Sequence, residues 1–159
     1  MIDLRKGDCL EVMKTIPDGS IDAIITDPPY GTTQCKWDSV IDFDLMWEQL
    51  NRIIKPNGAI VLFGSENISV FYKKQCLYNP QFTYGLPYKS KSGKSSFDGY
   101  GKDNRKGNDS DGRRYPKRVL SFKVVERNTL HPTQKPVELM EYLIKTYTNE
   151  SETVLDFTM

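Results

Sequence analysis

The sequence predicts an α/β fold of the doubly wound type, a mostly parallel sheet with helices packed on its two faces. Three observations predict it. Between residues 4 and 63, short apolar runs alternate with stretches of helical periodicity, giving strand, helix, strand, helix, strand. The runs at 23–26 and 59–63 are apolar throughout, as strands covered on both faces are. A chain of 159 residues, 38% hydrophobic and 27% charged, is long enough for one domain with a core of its own.

The elements follow in order. Leu4-Arg5-Lys6-Gly7-Asp8 begins as a short strand that Gly7 ends. Asp8 and Glu11 stand at capping-box spacing ahead of Leu10, Val12 and Met13, which predicts a helix over about 9–16. Pro17-Asp18-Gly19-Ser20 is the turn that stops it. The central strand at 23–26 runs into Asp27-Pro28-Pro29-Tyr30-Gly31, and a polar loop containing Trp37 follows. Phe43, Met46, Trp47, Leu50, Ile53 and Ile54 recur at helical spacing with Asp42 placed to cap them, and that face is core. Lys55-Pro56-Asn57-Gly58 ends this helix before the strand at 59–63, and 68–72 reads as a further strand. Val119-Leu120-Ser121-Phe122 resumes a strand. Pro136 suits the first position of a helix whose stripe is Val137, Met140, Leu143, Ile144 and Tyr147. The residues given close on a buried strand, Thr153-Val154-Leu155, with Asp156 and Phe157 near its carboxyl end.

Charge divides the chain more sharply than hydropathy does. The net charge of +1 is the sum of −5 over residues 1–71, +8 over 72–118 and −2 over 119–159. The middle block carries 12 Lys and Arg, with Tyr72, Tyr78, Phe82, Tyr84, Tyr88, Phe97, Tyr100 and Tyr115 set among them. Cations for phosphates and flat rings for bases are the two components of nucleic-acid contact. Lys73, Lys74, Lys89, Lys91, Lys94, Arg113, Arg114, Lys117 and Arg118 are the candidate contacts. A solvated loop with surplus lysine is the plainer reading of the same block. Cys9, Cys35 and Cys76 are odd in number and far apart, as reduced thiols of a cytosolic protein are, so the expected location is cytoplasmic. With one histidine and no Cys-x-x-Cys, no metal site is expected. No run of 18 apolar residues and no leader-like start exist, so no membrane role is expected.

The turn after the central strand carries the chemistry. Pro28 and Pro29 offer no N–H and hold the chain extended, so the carbonyls of Asp27 and Pro28 need not join a ladder. A carboxylate and a carbonyl in fixed relation suit an amine with two hydrogens to give, and Tyr30 supplies a flat face for the ring bearing it. Asp27-Pro28-Pro29-Tyr30 resembles the catalytic tetrapeptide of the amino-methylating DNA methyltransferases, which act on adenine N6 or cytosine N4. Gly7-Asp8-Cys9-Leu10, Phe63-Gly64-Ser65, His131-Pro132-Thr133-Gln134-Lys135-Pro136 and Leu155-Asp156-Phe157 are similar to further motifs of that family, in the permuted order of its beta class.

The resemblance implies a Rossmann-like methyltransferase sheet, incomplete, with a basic irregular recognition insert. Residues 1–71 would be the catalytic half, 72–118 the DNA-contacting segment and 119–159 the start of the cofactor-binding half, in one structural domain. It implies S-adenosylmethionine as cofactor, held by Asp8, His131, Pro132, Thr133, Gln134, Lys135, Asp156 and Phe157. Asp27, Pro28, Pro29 and Tyr30 would be catalytic, taking an adenine flipped out of double-stranded DNA, and a restriction-modification or prophage setting is implied.

Two departures from the family pattern stand out. Family members continue past the last strand into a Gly-rich turn and helix, and they have more strands after the Phe63-Gly64-Ser65 position than residues 66–69 allow. A shortened form with little activity is therefore expected, whose exposed sheet edges invite association, a homodimer among the outcomes. The readings weighed beside the adenine enzyme are a cytosine-N4 enzyme, a non-catalytic DNA-binding remnant, and an RNA or protein methyltransferase.

Overall fold

The structure is a computed structural model that describes residues 1–31, 39–64, 67–89, 109–117, 119–123 and 134–158. In chain order its elements are α1 (Cys9–Lys14), β1 (Ile21–Thr26), α2 (Phe43–Ile53), β2 (Ile54–Phe63), β3 (Ile68–Phe71), β4 (Thr83–Tyr84), β5 (Tyr88–Lys89), β6 (Asp109–Ser110), β7 (Arg113–Arg114), α3 (Val137–Tyr147) and β8 (Val154–Leu155). They fall into two compact units, Met1–Asn79 with Phe122–Met159, and Pro80–Ser121.

The first unit is a four-stranded sheet in the order β3-β2-β1-β8. β2 and β8 flank β1 and run parallel to it, and β3 folds back antiparallel along β2. Because successive side chains of a strand point to opposite faces, the apolar run of β1 feeds two cores. Ile24 packs with Ile60 and Leu62 against Met13 of α1 and Met46, Leu50 and Ile53 of α2. Ile25 packs with Val61 and Phe63 against Leu143 of α3. Helices on both faces of a largely parallel sheet are the doubly wound arrangement the sequence predicts, here in partial form.

Local chemistry sets the elements. The Asp8 carboxylate accepts from the amides of Leu10 and Glu11 and starts α1, while Glu11 pairs with Lys14 at 2.6 Å instead of completing a capping box. The helix ends at Lys14, two residues before the predicted end, where Arg52 of α2 donates to the carbonyls of Met13 and Ile16 and satisfies them. Asp42 caps α2 through the amides of Asp44 and Leu45. Phe43, expected in the core, is exposed; Ile41 ahead of the cap packs on the core with Met46 and forms a hydrophobic staple in its place. Pro136 caps α3 from just outside the helix, with Val137 as the first helical residue.

β2 begins earlier than predicted and contains an excursion. Ile21 faces Ile54, yet Ala23 already faces Ala59, so residues 55–58 bulge out of the ladder. At Gly58 a Cβ would stand 2.7 Å from the Asp22 carbonyl oxygen, so the ladder closes only over glycine. Asp22 fixes this end of the sheet by accepting from Lys55 Nζ at 2.6 Å and from the Thr153 amide at 3.0 Å.

Two predicted strands are absent. Leu4-Arg5-Lys6 is irregular and exposed, and it pairs with no strand of the sheet. Val119-Leu120-Ser121-Phe122 is also irregular. This run straddles the boundary between the two units, with Val119 and Leu120 exposed and Phe122 set edge-on to Tyr142 at 5.9 Å.

The second unit consists of two short antiparallel ladders, β4 with β7 and β5 with β6. Phe82 binds it together, meeting Tyr115 edge to face at 4.8 Å and lying under the Arg113 guanidinium at 5.4 Å. Gly112 has a φ of +93°, a turn only glycine makes without strain.

Candidate active site at the carboxyl edge of the sheet

Because β1, β2 and β8 are parallel, their carboxyl ends leave the sheet on one edge, where doubly wound folds place their binding crevice. Asp27 follows β1, Phe63 closes β2 and Asp156 follows β8. Three segments far apart in sequence thus bring two carboxylates and an aromatic ring to one edge.

Pro28 is buried and Asp27, Pro29 and Tyr30 are half-buried. The Tyr30 hydroxyl donates to the Phe63 carbonyl at 2.6 Å and ties the turn after β1 to the end of β2. Burial, and then the negative charge of Asp27, push the Tyr30 hydroxyl above its ordinary pKa, so it stays protonated as that donor. Gly31 takes a φ of 66° and turns the chain away. Asp27 accepts through Oδ2 from Lys135 Nζ at 2.6 Å. The same ammonium stands 5.2 Å from the centre of the Phe63 ring.

A second cluster lies beside the first. The Asp156 Oδ1 atom accepts from the Thr26 hydroxyl at 2.7 Å and from the Thr158 amide and hydroxyl at 3.1 Å each. The Thr158 hydroxyl also stands 2.7 Å from the Thr26 hydroxyl, so with Thr26 donating to Asp156 its one proton is shared between Asp156 Oδ1 and the Thr26 oxygen. Thr26 is 1% exposed, so its hydroxyl is committed to this cluster. Phe157 packs against the core that α1 and α2 cover.

The structure therefore brings together Asp27, Pro28, Pro29, Tyr30, Lys135, Asp156 and Phe157 of the predicted site residues. Gln134 is half-buried next to Lys135. Asp8 is exposed and engaged as the cap of α1. His131, Pro132 and Thr133 lie outside the described residues, as do Lys91, Lys94 and Arg118. Lys73 and Lys74 are exposed on the first unit, where Lys73 donates to the Asn51 carbonyl at 2.8 Å. Lys89, Arg113, Arg114 and Lys117 are exposed on the second, with Arg113 also paired to Asp111 at 2.8 Å. Among the described residues no group of three or more His, Cys, Asp or Glu side chains is arranged to hold a metal, and no helix is long and apolar enough to cross a membrane.

One functional candidate, Thr26, and one pairing, that of Lys135, escape sequence reasoning. Thr26 ends an otherwise apolar run, and a polar residue at the last position of a buried strand is a signal that could have marked it. For Lys135 the family resemblance implies a cofactor role alone. Its pairing with Asp27 spans 108 residues and leaves no local trace.

An open parallel sheet with an acid-and-aromatic turn at the switch edge defines a class, the Rossmann-like methyltransferase fold. The comparisons make the family plain. A family model described as DNA methylase, of the N6/N4 methyltransferases, matches residues 64–159, more than half of the chain, and the chain belongs to that amino-methylating family. The matched span holds Lys135, Asp156 and Phe157; Asp27 to Tyr30 precede it.

Among curated relatives, the Type II methyltransferase M.HpaI of Haemophilus parainfluenzae is 29% identical over 192 residues, taking in 94% of this chain and 61% of the relative. That match is longer than the 159 residues of the chain, so the relative has residues with no counterpart here. The Type II methyltransferase M.HinfI of Haemophilus influenzae is 34% identical over 85 residues, covering 39% of this chain and 24% of the relative. The chain thus spans less than two thirds of these relatives. Of solved structures, the cytosine-N4-specific PvuII DNA methyltransferase superposes with a TM-score of 0.51 over 94% of this chain and 71% of the other, at 16% identity, and shows the shared fold.

Proposed function

We propose that the chain is the catalytic part of a site-specific DNA methyltransferase that transfers a methyl group from S-adenosylmethionine to adenine N6. The single observation that carries this reading is the meeting of Asp27, Tyr30 and Asp156 at the carboxyl edge of three parallel strands. The residues present fit that cofactor. Asp156 has one oxygen engaged by Thr26 and Thr158, and among the described residues its other oxygen accepts no hydrogen bond, which suits a hydroxyl or ammonium donor. The carboxylate of Asp27 suits the neighbourhood of a sulfonium cation.

When bound, the cofactor supplies a methyl group on a positively charged sulfur that leaves as a neutral thioether. The chain's own residues prepare the nucleophile. Asp27 and the Pro28 carbonyl accept the two amine hydrogens, which draws the nitrogen lone pair out of conjugation with the ring and aims it. Tyr30, anchored through its hydroxyl, stacks on the base. As the amine gains positive charge, the Asp27 carboxylate stabilises it, and the surplus proton is lost to solvent after transfer. Positioning supplies most of the remaining acceleration. His131 to Lys135 and Phe157 complete the cofactor side, and the cations and rings of 72–118 contact double-stranded DNA whose target base is extruded.

Aspartate at the first tetrapeptide position favours adenine, since the cytosine-N4 enzymes more often have serine there. The test is incubation with labelled S-adenosylmethionine and mixed-sequence DNA, followed by digestion to nucleosides. N6-methyladenine, in the small yield of a shortened form, is the expected product. N4-methylcytosine would reassign the substrate, and DNA binding with no product would leave a binding remnant.

A further inference from the structure

The Asp27 carboxylate already carries a donor. Lys135 Nζ lies 2.6 Å from Oδ2 and 5.2 Å from the centre of the Phe63 ring, and Tyr30 anchors Phe63 through its carbonyl. A nitrogen donor seated on this carboxylate beside an aromatic ring stands where the reading above seats the substrate amine. We infer that Lys135 is a displaceable counter-ion of Asp27: its ammonium holds the carboxylate until a substrate amine arrives, and substrate entry must lift it away. The inference rests on Asp27 being the acceptor of that amine.

Charge and geometry both argue for displacement over a shared complex. An ammonium at 2.6 Å occupies Oδ2 with a short charge-assisted bond and crowds a second donor at that oxygen. The methyl donor brings one positive charge, which passes from its sulfur to the amine as the methyl group moves. A second positive group on the same carboxylate would oppose the transfer that Asp27 promotes. Leaving the half-buried carboxylate bare between turnovers carries its own desolvation cost. Lys135 removes that cost while the site is empty. It is also built to leave: its side chain is 32% exposed, and a flexible four-carbon stem can return the ammonium to water without backbone movement.

The test compares Lys135→Met with the parent chain in binding two thymine-tract oligonucleotides by fluorescence anisotropy. One oligonucleotide carries a single adenine, the other a single purine in which hydrogen replaces the amine. The expected result is a rise of about fivefold or more in the adenine-over-purine preference of Lys135→Met, as for losing a competing charge-assisted bond. Lys135→Gln, also neutral, should show the same rise and guards against a fault peculiar to methionine. Adding Asp27→Ala should erase the preference. A preference unchanged or reduced in both Lys135 variants, with Asp27→Ala still erasing it, overturns the counter-ion role and leaves the reading of Asp27 standing. A preference insensitive to Asp27→Ala in every background overturns both.

Discussion

Removing the Thr26 hydroxyl tests how the sheet assembles the acid at its edge. Thr26→Val keeps the shape of a fully buried side chain and deletes the donor that reaches Asp156 Oδ1 at 2.7 Å. A hydrogen bond to a charged group contributes about 1.5–3 kcal/mol. Asp156 is half-buried and keeps the amide and hydroxyl of Thr158 on the same oxygen, which places the loss at the lower end, about 1.5 kcal/mol. For a domain of this size that is a fall in Tm of about 3–6 °C. Urea unfolding followed by Trp47 fluorescence reads the unit that contains the cluster. Pairing Thr26→Val with Asp156→Asn should give a coupling of about 1 kcal/mol, since the two groups touch. A Thr26→Val variant within about 0.3 kcal/mol of the parent, or full additivity with Asp156→Asn, would refute the cluster as a joint between β1 and β8.

Other outcomes follow from the same geometry. Asp27→Ala should abolish methyl transfer in a complete enzyme of this type while DNA affinity, read by anisotropy, stays near the parent; equal losses of both would count against its role. Tyr30→Phe should reduce stability by about 0.5–1.5 kcal/mol through loss of the bond to the Phe63 carbonyl, measured by chemical denaturation. With about half of the 12 cations of 72–118 on phosphates, a plot of log K against log salt should fall with a slope of about −5, and a flat plot would remove the segment from the interface. Burial raises the hydroxyl pKa of Tyr30, Tyr142 and Tyr147 above 10.0. The folded state then holds these protons more tightly than the unfolded chain, so stability is intact below pH 10 and falls as pH rises through the folded values. Denaturation midpoints above pH 10, with phenolate absorbance recorded in parallel, check the sign.

The parts of the fold legible in the sequence are those set by neighbours in the chain. Asp8 and Asp42 were readable as caps because a cap acts within three residues, and β1 and β2 because a strand buried on both faces needs an unbroken apolar run. The parts missed depend on distant partners. Leu4-Arg5-Lys6 and Val119-Leu120-Ser121-Phe122 have strand-like composition, but a strand also needs a partner strand in register, and composition does not report partners. Phe43 and Ile41 compete for one core position, and which of them packs depends on where the cap turns the chain. At the site, the Asp27 turn is legible from its two prolines, whereas the grip of Thr26 on Asp156 and of Lys135 on Asp27 arises only when segments over 100 residues apart are brought side by side.

The pairing of β1 with β8 also sets a clock. Ala23 and Ile24 find Val154 and Leu155 across about 130 residues, whereas β2 and β3 meet through a short connection. At ribosomal speeds of roughly 5–20 residues per second, about 7–26 s separate the emergence of these two strands. Through that interval a nascent chain can complete only one side of β1, leaving the row of amides and carbonyls that β8 will occupy open to any extended peptide nearby. Each candidate cluster has one member on each side of that gap, Asp27 with Lys135 and Thr26 with Asp156. The chemistry of the edge thus arrives long after β1 itself, and whatever guards the open flank of β1 in the meantime, a chaperone or fast collapse of α1 and α2, decides how many chains reach it.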